Sequence, residues 1–264
     1  MLEVVKAAKT FNPNSVNEVQ ALRGVDLTVK PGEFITVIGS NGAGKSTFLN
    51  AVAGTFALSS GTISINGTDV TSWPEYKRAI NLGRVFQDPL SGTCATLTIE
   101  QNMALAMKRG KPRGLGRGVR PADRSLFREQ LATIGLGLED RLSDKAGLLS
   151  GGQRQALTML MATMTRPDIL LLDEHTAALD PKTGRKILDI TDAVVRRDNL
   201  TTLMVTHNMN QAISMGDRLI MFHQGMIILD ISGKEKKGLK MEDLLEKFYS
   251  LQGESVATDR MLFS

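Results

Sequence analysis

The feature that most constrains this chain is a glycine-rich loop between a short apolar segment and a run of helix-forming residues. The apolar segment is Phe34–Ile38, and the helix formers run over Lys45–Ala53. The loop has the spacing G-x-x-x-x-G-K-S and consists of Gly39, Ser40, Asn41, Gly42, Ala43, Gly44, Lys45 and Ser46, with Thr47 next. A strand that passes through such a loop into a helix is typical of nucleotide-binding α/β proteins.

The residue types in this loop suit the binding of phosphate groups. Glycines allow backbone N–H groups to converge on an anion, and the N-terminus of the following helix adds its positive end. Lys45 supplies a positive charge for the β- and γ-phosphates, and Ser46 supplies a hydroxyl for Mg²⁺. A plain glycine-rich turn is the alternative, which the strand and helix on either side disfavour. No Asn/Thr-Lys-x-Asp segment for reading guanine occurs in the sequence, which favours ATP.

Two acidic residues follow a short aliphatic run further along the chain. The run is Ile169–Leu172, and the acids are Asp173 and Glu174. Such a run is typical of a strand buried in a parallel sheet, and open α/β sheets bind ligands at the carboxyl ends of their strands. We therefore expect Asp173 to hold Mg²⁺ and Glu174 to act as the general base for an attacking water. A solvated strand end is the alternative.

Composition is that of a globular protein, with 264 residues of which 42% are hydrophobic and 23% charged. The net charge of +4, from 32 basic and 28 acidic residues, is too small by itself to indicate nucleic-acid binding. Cys94 is the single cysteine, which excludes an intrachain disulfide and fits a reducing cytosol. Because aliphatic runs are short throughout, we expect neither a membrane-spanning helix nor a signal peptide.

Strand-like and helix-like segments alternate along most of the chain, which predicts a mainly parallel sheet flanked by helices. Asn66-Gly67 lies between alternating residues and predicts a hairpin. The stretch from about 88 to 150 differs, because it holds a capping box at Thr98 and a predicted helix over Pro121–Ile134. Its loop at 108–124 contains seven basic residues. This loop is either a solvated flexible segment or a surface for anionic lipid headgroups or a partner.

These patterns predict a single domain over 1–264. We expect a nucleotide-binding core formed by 1–87 and 151–232, and a helical insertion at about 88–150. Residues 233–264 are expected to form a charged helix, over Met241–Tyr249, and a polar tail.

Several short motifs occur in an order that resembles one family. Beside the phosphate loop and the acidic strand end, these are Gln87 after a strand, the Leu149–Gln153 segment, Ala178–Asp180, and His207 at the end of a strand. Together they resemble the ATP-binding cassette ATPases, the motor subunits of ABC transporters, over about residues 1–232. The resemblance implies a P-loop NTPase core with a mainly parallel sheet, an N-terminal antiparallel β-subdomain and an inserted helical subdomain.

The resemblance also implies roles for individual residues. Gln87 would reach Mg²⁺ and the attacking water and sense the membrane partner, and His207 would contact the γ-phosphate. Taken by itself, His207 is better explained as a strand-end histidine satisfied by its neighbours, but its place directly after Leu203–Thr206 favours the functional role. Phe11 is the candidate for stacking on adenine, with a core or surface phenylalanine as the alternative.

The family further implies a head-to-tail homodimer with ATP between the subunits. Each ATP would lie between the phosphate loop of one subunit and the signature segment of the other, which comprises Ser150, Gly151, Gly152 and Gln153. Asp180 would lie across the dimer interface. By itself, a Ser-Gly-Gly sequence before a helix is often only a capped helix start.

Two departures from the family pattern indicate a subgroup. His175 stands where proline is usual, and the helix after Gln153 lacks the usual arginine-rich sequence. The strings at 173–180 and 17–22 resemble cassettes of bacterial uptake systems for amino acids, aromatic ones among them.

Partners and location follow from that resemblance. It implies integral membrane permease subunits and, if the system is an importer, an extracytoplasmic substrate-binding protein. It also implies a place on the inner face of the plasma membrane and no nucleic-acid partner. The alternative is a soluble ABC ATPase that acts as a clamp on nucleic acid or the ribosome. Such clamps carry coiled coils, zinc modules or a second cassette, which this sequence lacks.

Overall fold

In the computed structural model, which describes residues 1–112 and 114–252, the chain divides into two units. One unit contains Met1–Arg78 and the described residues from Asn199 onward, and the other contains Ala79–Asp198. These boundaries differ from the expected ones at about 88 and 150, so the division into core and insertion stays a prediction. The part of the predicted polar tail at 253–264 lies outside the described residues.

The elements of the described residues follow the chain in a largely alternating order. The strands are β1 (Leu2–Phe11), β2 (Val19–Val29), β3 (Phe34–Ile38), β4 (Ser60–Ile65), β5 (Thr68–Asp69), β6 (Leu82–Val85), β7 (Ile169–Asp173), β8 (Thr201–Val205), β9 (Arg218–His223) and β10 (Met226–Ser232). The helices are α1 (Lys45–Ala53), α2 (Glu75–Arg78), α3 (Ile99–Met107), α4 (Pro121–Ala132), α5 (Gly151–Thr163), α6 (Pro181–Asp198), α7 (Met209–Ser214), α8 (Gly233–Lys237) and α9 (Met241–Gln252). A 3₁₀ turn covers Ala146–Leu148.

The first unit contains an antiparallel sheet with the strand order β2-β1-β4-β5. The predicted hairpin joins β4 to β5, where Ile65 pairs with Thr68. Asn66 and Gly67, between them, both have positive φ angles of 50° and 77°. These are the residue types that tolerate the left-handed turn a two-residue hairpin requires, so the local sequence determines this turn.

Four strands of the same unit pair in the order β10-β9-β3-β8. The strand β3 runs parallel to both β8 and β9, while β9 and β10 are antiparallel. All five residues of Phe34–Ile38 are buried. A strand with parallel partners on both sides is usually apolar, and the one polar residue of β3, Thr36, donates its hydroxyl to the Ala212 carbonyl oxygen at 2.9 Å. The phosphate loop therefore leaves from the interior of this unit.

A buried arginine closes the C-terminal end of α1. Arg78 is 1% exposed, and its Nη1 donates to the carbonyl oxygens of Ala51 and Val52 at 2.8 and 3.0 Å. Its other nitrogens donate to the carbonyl oxygens of Trp73 and Thr71. Carbonyl groups in the last turn of a helix have no partner within the helix, and a cation also complements the helix dipole. Arg78 thus holds the helix that follows the phosphate loop.

The second unit contains the parallel pair β6 and β7 and a helical core. Leu82 pairs with Ile169, and Val85 pairs with Leu172. The buried apolar residues of the helices and of the segments that join them include Ile99, Met103, Phe127, Leu131, Ile134, Leu138, Leu157, Leu160 and Ile187. The capping box predicted at Thr98 is present at the start of α3. The helix predicted over Pro121–Ile134 ends two residues earlier, at Ala132.

Several basic residues of the 108–124 stretch bind within the second unit. Arg120 and Arg124 form ion pairs with Asp123 and Glu100, at 2.9 and 2.7 Å. Arg109 donates to the carbonyl oxygen of Ala162, at 2.9 Å. These contacts connect the stretch to α3, α4 and α5 and reduce the positive charge that remains for an outside partner. Arg113, also part of this stretch, lies outside the described residues.

Sequence reasoning did not predict helix α8, which is held by a buried lysine. Lys236 is 3% exposed, and its ammonium group donates to the carbonyl oxygens of Met215 and Gly216 and to Thr36 Oγ1. Burial lowers the pKa of Lys236 to about 8, although the nearby charge of Asp217 acts in the opposite direction. The side chain therefore joins α8 to β3 and to the end of α7.

None of the helices in the described part of the chain combines the length and the apolar character that a bilayer crossing requires.

Candidate functional site

The phosphate loop lies between β3 and α1, as the sequence predicts. Lys45 is 5% exposed, and its Nζ donates to the carbonyl oxygens of Gly39 and Ser40 at 2.6 and 3.0 Å. The ammonium group is thus held by the loop from which it would contact a phosphate. Ser46 and Asn41 are exposed, and Thr47 is half-buried.

Two glycines of the loop are required by close contacts. Gly39 has φ +147°, and a Cβ there would lie 2.3 Å from the Phe222 carbonyl oxygen. Gly44 has φ +104°, and a Cβ there would lie 2.7 Å from the Ala21 carbonyl oxygen. Any other residue would therefore meet backbone as well as an unfavourable φ angle. The loop backbone lies against β2 and β9. These contacts fix its conformation before a ligand binds.

The N-terminus of α1 suits an anion. Gly44 is its N-cap residue and has no side chain to bond to the first turn, and the first turn contains no acidic residue. The Ala43 N–H bonds within the loop, to the Ser40 carbonyl oxygen at 3.2 Å. The positive end of the helix dipole and the Lys45 charge therefore coincide at this end of β3.

His207 lies at the same edge of the strands as the phosphate loop. In the parallel pair of β3 and β8, Val37 is opposite Val205. Gly39 and His207 each come two residues later, and parallel strands end at the same edge. His207 is exposed, and Asn208 after it caps α7 by accepting from the Gln211 N–H at 3.0 Å. The first unit thus brings together the loop and the histidine that the sequence predicted.

Phe11 ends β1 and packs against another aromatic ring. Its ring centroid lies 5.2 Å from that of Phe56 in an edge-to-face arrangement. Lys9 Nζ lies 5.1 and 5.0 Å from the centroids of the two rings. Phe11 is half-buried, so part of its ring remains accessible to a ligand. Its role at adenine stays a prediction.

The second unit brings together Gln87, Asp173 and Glu174. Val85 of β6 is opposite Leu172 of β7. Because the strands are parallel, Gln87 and Glu174, each two residues further on, lie at the same edge. Gln87 is exposed, and Asp173 is 15% exposed at its side chain. An amide and two carboxylates thus share one edge of this unit.

A cation lies next to Asp173 that sequence reasoning missed. Arg84 Nη2 is 3.8 Å from Asp173 Oδ2, and the guanidinium carbon of Arg84 is 4.6 Å from the Phe86 ring centroid. Arginine within an otherwise apolar strand was the only available signal. The two side chains form a partly buried ion pair, with each side chain 15% exposed.

The backbone turns sharply at Glu174. Its φ angle is +43°, a conformation that residues other than glycine rarely adopt, and its carbonyl oxygen accepts from the Ala177 N–H at 2.9 Å. The next residue, His175, is 2% exposed, and its Nε2 lies 3.0 Å from Thr191 Oγ1. Burial lowers the pKa of His175 to about 4, which keeps the imidazole neutral at pH 7.

The Ser150–Gln153 segment forms the start of α5. Ser150 Oγ accepts from the Gln153 N–H at 3.3 Å, and Gln153 Oε1 accepts from the Ser150 N–H at 3.2 Å. This capping box corresponds to the alternative given for the Ser-Gly-Gly sequence, a capped helix start. Ser150 and Gly151 are exposed, so the same N-terminus remains open to an outside ligand.

Asp180 begins α6 directly beside that segment. Its Oδ1 accepts from the Thr183 N–H at 3.1 Å, and hydrogen bonds from Thr183 hold the pKa of Asp180 below its ordinary value. A Cβ on Gly152 would lie 2.2 Å from Thr183 Cγ2, and one on Gly151 would lie 3.3 Å from Leu179 Cδ2. The starts of α5 and α6 are therefore in close contact.

A buried glutamine connects α5 to the Gln87 segment. Gln155 is 0% exposed, and its Nε2 donates to the carbonyl oxygen of Phe86 at 3.1 Å. This contact lies directly before Gln87 in the chain. Sequence reasoning missed it, because a glutamine within a helix gives no indication of a partner 69 residues away.

Comparison with known proteins decides the family. The family described as ABC transporter matches residues 22–177, more than half of the chain. The chain belongs to the ABC transporter ATPases. It is an ATP-binding subunit that hydrolyses ATP to power a transporter, as the motif order predicted. The alternative was a soluble clamp on nucleic acid or the ribosome. None of the three relatives described below has a name that indicates such a function.

Curated relatives include three ATP-binding proteins of transport systems. A tyrosine transport ATP-binding protein of Clostridioides difficile is 45% identical over 249 residues, which cover 94% of this chain and 98% of the relative. A lipoprotein-releasing system ATP-binding protein of Syntrophus aciditrophicus is 36% identical, with 86% and 99% covered. A methionine import ATP-binding protein of Corynebacterium glutamicum is 34% identical over 83% of this chain and 59% of the relative.

Solved structures confirm the fold of this ABC ATPase. A dimeric ATP-binding cassette in a post-hydrolysis state with ADP and Pi has a TM-score of 0.75 and 30% identity, with 88% of this chain covered and 98% of that one. The ADP conformation of another ABC transporter cassette has a TM-score of 0.76, at 24% identity, with 94% and 98% covered. The P-loop NTPase class predicted from the sequence is therefore confirmed, whereas the roles of the individual site residues remain predictions.

Proposed function

We propose that this ABC ATPase powers the import of an amino acid, with tyrosine or a similar aromatic amino acid as the first candidate. The observation that carries this proposal is the 45% identity to a tyrosine transport ATP-binding protein along 94% of the chain. The methionine import relative is consistent with an amino acid as the transported solute. Because the ATPase does not contain the transport path, the choice of solute belongs to its partners.

ATP would bind with its phosphates against the loop from Gly39 to Ser46. The N-terminus of α1 and the ammonium group of Lys45 supply the positive field, and Thr47 extends the polar lining. Lys45 would exchange its bonds to the Gly39 and Ser40 carbonyl oxygens for bonds to phosphate oxygens, which are stronger because both partners are charged. Phe11 would stack on adenine.

Mg²⁺ would accompany the bound ATP, and the side chains proposed as its ligands are of types that this metal accepts. Ser46, Gln87 and Asp173 offer a hydroxyl, an amide and a carboxylate oxygen, and Mg²⁺ prefers oxygen ligands and keeps only one or two carboxylates beside substrate phosphates. When bound, the metal neutralises charge on the phosphates. Asp173 forms its ion pair with Arg84 through Oδ2, at 3.8 Å.

Hydrolysis would depend on two side chains at two strand ends. Glu174 would accept a proton from the attacking water, and His207 would contact the γ-phosphate. Gln87 lies at the same strand edge as Glu174, where it would orient the water and respond to the membrane partner. These groups polarise and position the water, which is the main task in phosphoryl transfer.

A head-to-tail homodimer would complete the site. The exposed N-terminus of α5, with Ser150 at its cap, offers a second anion-binding helix end for the ATP held by a partner subunit. Asp180 lies at the start of the neighbouring helix and would face the same interface. The dimeric cassette solved with ADP and Pi, at 30% identity, supports this arrangement.

The same proposal includes the partners and the location. This subunit would dock on integral membrane permease chains at the inner face of the plasma membrane. An extracytoplasmic substrate-binding protein would deliver the amino acid. We expect no nucleic-acid partner because the proposed role is in transport, and the net charge of +4 is by itself too small to indicate one.

Uptake by intact cells tests the proposal. Cells that carry either the wild-type chain or Lys45→Ala are given radiolabelled tyrosine, phenylalanine, methionine and spermidine. We expect Lys45→Ala to lower tyrosine uptake, with phenylalanine as the next most affected and spermidine unchanged. Equal uptake of all three amino acids in both strains would refute an amino-acid importer. Loss of spermidine uptake alone would indicate a different solute class.

A further inference from the structure

Glu174 lies between two residues whose side chains are tied to different elements. On one side, Asp173 pairs with Arg84 of β6. On the other side, His175 bonds to Thr191, in the middle of α6, at 3.0 Å. Glu174 itself has the φ angle of +43°. A residue in such a conformation is kept there only by its surroundings, because the free chain would leave it.

The direction of the hydrogen bond between His175 and Thr191 follows from a second contact. Thr191 Oγ1 lies 2.8 Å from the Ile187 carbonyl oxygen, to which it must donate, since a carbonyl cannot. The hydroxyl has one proton, so it accepts from His175, and Nε2 of His175 carries the hydrogen. Thr191 is 0% exposed and His175 is 2% exposed. Water therefore does not compete for this bond, which is stronger for that reason.

We propose that His175 is a positioning residue for ATP hydrolysis, because its hydrogen bond to Thr191 holds the backbone turn that directs the Glu174 carboxylate. The proposal rests on the proposed role of Glu174 as general base. The backbone of Glu174 is already bonded through its carbonyl oxygen to the Ala177 N–H, at 2.9 Å. The side chain of His175 adds a connection to α6, which is one of the longest elements of the second unit.

A loss of this bond would act on the chemical step more than on binding. The phosphate loop lies in the other unit, and the hydrogen bonds of Lys45 described above are made to Gly39 and Ser40 of the loop itself. A general base must lie within hydrogen-bond reach of the water, and a misplacement of about 1 Å can reduce the rate about 100-fold. Thr191 keeps its bond to Ile187 when the imidazole is removed, so no buried donor loses its partner.

The test compares variants that remove or keep the bond. His175→Leu removes the donor, and His175→Gln keeps an N–H at a similar reach. Thr191→Val removes the acceptor, and Thr191→Ser keeps it. Thr163→Val is the matched control, since Thr163 is also buried and its Oγ1 donates to the Met159 carbonyl oxygen at 3.0 Å in α5. Thr163 has no contact with the 173–175 segment among those described.

Two quantities are measured on the full chain: the single-turnover rate of ATP hydrolysis and the dissociation constant for a fluorescent ATP analogue. We expect His175→Leu and Thr191→Val each to lower the rate about 10- to 100-fold, with dissociation constants within about twofold of wild type. His175→Gln and Thr191→Ser should retain most of the rate, and Thr163→Val should retain it all. The double variant His175→Leu/Thr191→Val should be no slower than either single variant.

A second comparison separates this proposal from the role of Glu174. In a Glu174→Gln background, His175→Leu should cause no further loss, since it acts through the missing carboxylate. An equal loss in both backgrounds, or a wild-type rate for His175→Leu, would overturn the positioning role while leaving Glu174 as the base. A wild-type rate for Glu174→Gln would overturn both assignments. If His175→Leu fails to fold, the positioning role is tested at Thr191 instead. The hydrolysis rate of Thr191→Val is then compared with the rates of Thr191→Ser and Thr163→Val, by the same criteria.

Discussion

Gly152 and Thr183 lie so close that a Cβ at position 152 would be 2.2 Å from Thr183 Cγ2. This contact joins the start of α5, which carries the signature segment, to the start of α6, which Asp180 caps. Gly152 does not have a positive φ angle, so the absence of a side chain, rather than backbone freedom, is what this position requires.

Gly152→Ala should therefore destabilise the protein through a steric clash. Thr183 is β-branched and stiff, and overpacking of this kind typically costs about 1–3 kcal/mol. Urea denaturation measures the loss. Thr183→Ser, which removes the clashing methyl group, should restore stability in the double variant Gly152→Ala/Thr183→Ser. If the double variant is as unstable as Gly152→Ala, the contact with Thr183 is not the cause.

Lys45→Ala should weaken ATP binding. The change removes a charge-assisted contact to phosphate worth about 1.5–3 kcal/mol, which is about 10- to 150-fold in affinity. Titration with labelled ATP measures the effect, and Lys30→Ala, at an exposed lysine of the same unit, is the control. Equal affinities for Lys45→Ala and Lys30→Ala would contradict the phosphate-binding role of Lys45.

Phe11→Ala should weaken ATP binding by about 1 kcal/mol if the ring stacks on adenine, whereas Phe11→Tyr should bind normally. Phe56→Ala is a matched control, because it breaks the same aromatic pair but keeps the Phe11 ring. Binding assays with ATP and GTP provide the measurement. A similar loss in Phe11→Ala and Phe56→Ala would show that the aromatic pair matters for folding of this segment and not for stacking.

Glu174→Gln should separate chemistry from binding. Loss of a general base slows a reaction by about 10²–10⁴-fold, while the phosphate loop and Asp173 are left intact. Unhydrolysed ATP would then hold two subunits together, so size-exclusion chromatography with Mg-ATP should show a dimer. Asp173→Asn should instead weaken Mg²⁺ binding, read out by titration with Mn²⁺. A slow Glu174→Gln protein that stays monomeric with ATP would keep the base and refute the shared site at Ser150.

Because of Lys236, the free energy of unfolding of the first unit should vary with pH in the alkaline range. Its pKa is about 8 in the folded protein against 10.5 in the unfolded chain, so the unfolded chain binds more protons between these values. Stability should therefore rise with pH, by about 1 kcal/mol from pH 7 to pH 9 relative to Lys236→Met. Trp73, in the same unit, reports unfolding by fluorescence. Parallel pH profiles for the two proteins would contradict this depressed pKa.

Local patterns in the amino-acid sequence determine much of this protein. Phe34–Ile38 and Lys45–Ala53 form β3 and α1 with the predicted bounds, and the Asn66-Gly67 hairpin is present. In each case the signal is local: a continuous apolar run, glycines that allow positive φ angles, or a turn that two residues specify. The order of the motifs then identified the family, and with it the ATPase function, without any contact between distant residues.

Other features depend on neighbours far apart in the chain, and only the tertiary structure decided them. The polar end of strand β1 extends to Phe11 because Thr10 and Phe11 pair with Gln20 and Val19 of β2. Helix α8 is held by Lys236, which is buried. The sequence alone would predict an exposed side chain there, because the lysine lies in a charged segment.

The same limit applies at the site. His175 was visible only as a departure from a family pattern, and its hydrogen bond to Thr191 spans 16 residues. Arg78 reaches the end of α1 across 26 and 27 residues. Burial and hydrogen-bond partners of this kind arise when elements pack together, so no periodicity in a single segment can specify them.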